Sequence, residues 1–112
     1  MDNHIFVHLF HILFVGVLFL YVGIYRDKIF TNLFIVLYYL GIIIILYHIY
    51  KSYIYSKSGK SIWVNIIHIL FIGPLLIIIG YNKEKTSRKF FEILLMFGFS
   101  SICYHLYYLF QK

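Results

Sequence analysis

The chain has no alanine, one cysteine, one proline, one tryptophan and only four acidic residues among its 112. Each scarcity excludes something. A single thiol, Cys103, cannot build an intramolecular disulfide framework, a Cys-x-x-Cys redox pair or a thiolate zinc site, and it leaves the redox compartment open. Charge of either sign is scarce, with 12% charged residues against 62% hydrophobic. A chain this short leaves much of its folded surface wet, so that much apolar surface excludes a water-soluble fold. Lacking alanine, the first apolar run cannot be followed by an Ala-x-Ala cleavage site; it is also too long, and its start (Met1-Asp2-Asn3-His4) too poor in basic residues, to read as a signal peptide.

Present instead are four apolar runs, roughly 5–24, 29–50, 62–80 and 90–110. Each is close to the ~20 residues that an α-helix needs to cross ~30 Å of hydrocarbon. The expected fold is all-α: a transmembrane four-helix up-down bundle, one integral membrane domain over residues 1–112. The isoleucine runs at 42–45 and 77–79 would favour strands in water. In lipid every peptide group must bond internally, and the run lengths favour helices; the short alternating segments of a β-barrel are absent. The connections, Tyr25 to Lys28, Lys51 to Lys60 and Asn82 to Lys89, are short enough to make neighbouring helices antiparallel.

The net charge of +6 collects in these connections, which reads as topology and attraction to a membrane surface and not as nucleic-acid binding. Lys51, Lys57, Lys60 and Lys112 fall on the side of the termini, against Arg26, Lys28, Lys83, Lys85, Arg88 and Lys89 on the other. The positive-inside rule then expects both termini outside or in a lumen. Aromatic belts agree with the spans: Tyr47, Tyr50, Tyr53, Tyr55, Trp63, Tyr104, Tyr107 and Tyr108 on the terminal side, Tyr21, Tyr25 and Tyr81 on the other.

Shifted by 57 positions, the chain matches itself. His11-Ile12-Leu13-Phe14-Val15-Gly16 falls on His68-Ile69-Leu70-Phe71-Ile72-Gly73, Gly23 on Gly80, Phe34 on Phe91, Gly41 on Gly98, and Tyr47-His48-Ile49-Tyr50 on Tyr104-His105-Leu106-Tyr107. Fifteen of the forty pairs between 11–50 and 68–107 are identical, where this composition alone gives about four. The expected unit is a helical hairpin used twice, at about 4–55 and 61–112, as a parallel repeat. Gly16 and Gly23, like Gly73 and Gly80, are seven apart and share a helix face on which a neighbouring backbone can come close. Pro74, opposite Val17, is expected to kink the third helix and break the symmetry.

Four histidines form repeat pairs, His11 with His68 and His48 with His105, whereas His4 and His8 face Ser61 and Asn65. All four fall toward the terminal side, with His11 and His68 deeper by about 8 Å at 1.5 Å per residue, which makes two layers of paired imidazoles. One reading is axial ligation of a b-type haem, or a transition-metal site, in the bundle core. His48 and His105 suit it best, since Gly41 and Gly98 lie one heptad away on the same face and leave room for a flat macrocycle; His11 and His68 point about 140° from their glycine stripe. A second reading makes His48 and His105 interfacial residues, and His11 and His68 partners in interhelical hydrogen bonds. A proton-conducting pore or small channel is a third. Ser100 and Ser101 have no acid-base partner, Glu92 suits a pairing with Arg88 or Lys89, and no catalytic motif points to an enzyme.

The second unit, from Ile67-His68-Ile69-Leu70-Phe71-Ile72-Gly73-Pro74-Leu75-Leu76 through Gly80-Tyr81 to Gly98 and Tyr104-His105, resembles a family of small multi-span membrane proteins of large DNA viruses that infect algae and protists. The resemblance implies a viral membrane setting, either a host internal membrane or the virion membrane, and brings no site residues. The partner expected is the lipid bilayer, with a homo-oligomer as an option; other viral membrane proteins that would partner it are not indicated by the residues. The role expected is structural or membrane-associated.

Overall fold

The computed structural model describes residues 4–111; residues 1–3 and Lys112, one of the charges counted above, lie outside the described residues. Every regular element among the described residues is helical. Four helices are long and apolar enough to cross a membrane: α1 (Ile5–Lys28), α2 (Thr31–Lys57), α3 (Trp63–Lys85) and α4 (Arg88–Leu109). They follow the four apolar runs, consistent with an integral, multi-pass membrane protein.

The largest departure lies at the end of α2, which continues to Lys57 where a connection was expected from Lys51. Pairs four residues apart support the extra turns by setting an ammonium group near a tyrosine ring, Lys51 at 4.5 Å from Tyr55 and Lys57 at 5.1 Å from Tyr53. The helix then stops in a Schellman turn. Gly59 takes the left-handed conformation (φ 74°), the Lys60 N–H donates to the Tyr55 carbonyl at 2.8 Å, and the Gly59 N–H donates to that of Ser56 at 3.2 Å.

At the opposite ends of the helices another device closes both α1 and α3. Arg26 and Lys83 adopt φ of 53° and 54°, each opening a single 3-10 turn. A long side chain there costs roughly 1–3 kcal/mol. Thr86 braces the second turn, its hydroxyl reaching the carbonyls of Lys83 at 2.7 Å and Ile79 at 3.2 Å. Lys83→Gly should therefore raise stability by about 1 kcal/mol, since the relief of strain exceeds the added entropy of the unfolded chain. A higher thermal unfolding midpoint in detergent is expected; a lower one would contradict the strain.

The helices gather in two compact units. Unit one combines Met1–Arg26 with Ser87–Lys112 and packs α1 on α4; unit two is Asp27–Thr86 and packs α2 on α3. The core of unit one is Phe19, Val22, Phe91 and Leu94, and that of unit two Leu76, Ile79, Phe34 and Leu37, all exposed by 1% or less. Position by position these are the same four sites at the 57-residue offset. The glycines follow suit. Gly23 lies against the backbone of Leu95 and Gly80 against that of Tyr38; Gly16 meets Ile102 and Gly73 meets Ile45; Gly98 meets Leu20 and Gly41 meets Ile77. Most of the remaining surface of the helices is apolar, with Phe6, Leu13, Ile43, Leu46, Met96 and Phe99 all more than half exposed.

Candidate functional site

Polar side chains inside the spans concentrate at one level of each unit, beside a backbone irregularity. His11–Gly16 in α1 and His68–Ile72 in α3 are π-helical, and the Gly73 N–H donates to the His68 carbonyl five residues back. Regular α geometry would turn His11 and His68 about 140° from their glycines. The π turn corrects that expectation by bringing residue i under residue i+5, so that histidine and glycine face the same partner helix. Both segments depart from α geometry in the same way, although only α3 carries Pro74. The irregularity therefore belongs to the shared His-Ile-Leu-Phe-x-Gly sequence, and the proline does not break the equivalence.

Antiparallel register decides which rings meet. With Gly16 at Ile102 and Gly23 at Leu95, the register places His11 opposite residue 107, two residues or about 3 Å from His105, and not the ~8 Å inferred from the loops. Accordingly His11 stacks on His105 in unit one (ring centroids 4.3 Å apart, 24° between planes) and His68 stacks on His48 in unit two (4.0 Å, 20°). Each unit holds one layer of imidazoles. The rings of His11 and His68 are further fixed by Nδ1–H donation to the carbonyls of Val7 and Val64, each at 2.8 Å, so that in the neutral ring the lone pair lies on Nε2.

A third polar residue completes each layer. In unit one His8 Nδ1 lies 2.9 Å from His105 Nδ1, one nitrogen donating and the other accepting; His8 also stacks on Tyr108, with centroids 6.2 Å apart. In unit two the His48 Nδ1–H donates to Asn65 Oδ1 at 2.7 Å, and Asn65 is only 7% exposed. Positions 8 and 65 are equivalent. The residue that looked like a break in the histidine pattern thus supplies the same contact in a different chemical form. Asn65 was signalled in the sequence only as an amide within an apolar run, a placement that demands a partner. Ser52, one helical turn beyond His48, keeps a buried hydroxyl without a hydrogen-bond partner.

These arrangements join helices: in each unit a stacked pair of rings and a polar contact at hydrogen-bond distance bridge the two helices that pack together. Among the described residues no group of three or more His, Cys, Asp or Glu side chains is placed to hold a metal ion. The space expected for a macrocycle beside Gly41 and Gly98 is filled: a Cβ on Gly41 would lie 2.7 Å from the Gly73 carbonyl oxygen, and one on Gly98 2.9 Å from Leu20 Cδ2. Outside this layer, Glu92 accepts from Arg88 Nε at 3.0 Å in an exposed i,i+4 pair, one of the two pairings expected for it and worth only about 0.3–0.5 kcal/mol. Comparison with protein families, with characterised proteins and with solved structures finds no match to this chain.

Proposed function

We propose that the protein is a small four-span integral membrane protein with a structural or membrane-associated role, an up-down bundle that arose by duplication of a helical hairpin. The observation that carries this reading is the division of its apolar side chains. A few from each helix fill two small cores, and the larger number face outward, where only lipid would cover them without cost. The duplication is supported by the recurrence of core residues, glycine contacts, π segments and polar layers at one offset. In this reading both termini face the outside or a lumen, and the resemblance to viral membrane proteins suggests a host internal or virion membrane.

Topology is the test. With Cys103 replaced by serine, single cysteines at Ser58 and at Ser87 should react with a membrane-impermeant maleimide from opposite sides of sealed vesicles, and the chain should resist alkaline extraction. Labelling of both from one side would overturn the four-span arrangement. Release of the chain by alkali would overturn integration altogether.

A further inference from the structure

Between Lys28 and Lys83 the sequence contains no Asp or Glu, yet it carries Lys51, Lys57 and Lys60 at one end of unit two. Each of their ammonium groups lies over a tyrosine ring. Those of Lys51 and Lys60 lie 4.5 and 5.1 Å from the centroid of one ring, Tyr55, while that of Lys57 lies 5.1 Å from Tyr53. The Schellman turn holds Lys60 in place, because its own N–H is bonded to the Tyr55 carbonyl. An aromatic face attracts each cation but neutralises neither, so two like charges sharing one ring leave an uncompensated positive site. The repeat does not require it: Tyr108 stands where the second copy would carry the counterpart of Lys51. Exposed Tyr50, Tyr53 and Trp63 around it are residues that settle at headgroup level.

We propose that this end of unit two binds the phosphate of an anionic phospholipid, with Lys51 and Lys60 as its two arms, Tyr55 as the platform between them and Lys57 as a neighbouring charge. The proposal rests on the membrane reading above. A lipid phosphodiester has a single negative charge that the two lysines beside one ring can share, and it is an anion that lies at headgroup depth. Wherever the leaflet on the side of the termini carries anionic lipid, attraction is about fivefold in binding per lysine, the factor corresponding to ~1 kcal/mol.

Trp63, the sole tryptophan, sits three residues beyond Lys60 and reports on the site directly. The full-length protein is reconstituted in neutral phosphatidylcholine vesicles, and its fluorescence is quenched with brominated phosphatidylglycerol or brominated phosphatidylcholine at equal mole fraction. Stronger quenching by the anionic lipid is expected, with an apparent preference of at least about fivefold that shrinks at high salt. The preference should vanish in Lys51→Gln/Lys60→Gln, return in Lys51→Arg/Lys60→Arg, and persist in Lys83→Gln/Lys85→Gln. Equal quenching by the two lipids in the wild type would overturn the site while leaving the membrane reading intact. Quenching by neither would overturn that reading as well.

Discussion

Gly80→Ala is expected to be the most damaging one-methyl change in the chain, costing about 3 kcal/mol or more of unfolding free energy. A Cβ at that position would stand 2.5 Å from the Tyr38 nitrogen and 2.6 Å from the Phe34 carbonyl oxygen, both main-chain atoms of α2. No rotamer change removes such a collision, so α2 and α3 must move apart and loosen the cores at Phe34 and Leu37. Gly23→Ala, its equivalent in unit one, meets the backbone of Leu95 at 2.9 and 3.0 Å and should come close behind. Gly16→Ala and Gly73→Ala collide chiefly with the flexible side chains of Ile102 and Ile45. Alanine also gains up to about 1 kcal/mol in helix propensity, which offsets the smaller clashes. Denaturation by SDS from mixed micelles measures the series. An order unrelated to whether backbone or side chain is struck, or a Gly80→Ala protein as stable as wild type, would refute the close approach.

The second large effect concerns the polar layers. Asn65→Leu removes the acceptor for the His48 Nδ1–H in surroundings where water does not replace it, and should cost about 1–2 kcal/mol. His8→Leu removes the corresponding partner of His105. His8→Asn, by contrast, installs in unit one the chemistry that unit two already uses, and should lie within about 0.5 kcal/mol of wild type because an amide can serve the same ring. A double-mutant cycle on Asn65 and His48, read by the same micelle titration, should give a coupling near 1 kcal/mol. Coupling indistinguishable from zero would mean that this hydrogen bond does not hold α2 and α3 together.

The four helices were legible because apolar length is a coarse and additive signal, insensitive to detail at any one residue. The C-terminal part of α2 was not. Lys51, Ser52, Ser56 and Ser58 resemble a loop by composition, and only the spacing of lysine and tyrosine, with Gly59 as a stop, reveals the extra turns. Composition and period give no warning that the His-Ile-Leu-Phe-x-Gly stretches are π-helical, since an i to i+5 bond uses the same backbone groups as an α turn, and the 140° between each histidine and its glycine holds only for regular α geometry. His48 and His105 correspond by the repeat, whereas the ring stacks within each unit follow helix packing: α2 packs on α3 and sets His48 against His68, and α4 packs on α1 and sets His105 against His11. Asn65 and His8 differ in residue type, and the role they share is visible only in geometry.

That partnering has a consequence for how the chain is made. Unit two is continuous in sequence, so α2 and α3 can find each other as soon as α3 leaves the ribosome, before unit one is complete. Of the four helices, α1 waits longest for the one it packs on: until α4 is made, α1 has neither Phe91 nor Leu94 to complete the core around Phe19, and no His105 against His11. Truncation before α4 would leave α2 and α3 paired as in unit two and take from α1 the helix that completes unit one.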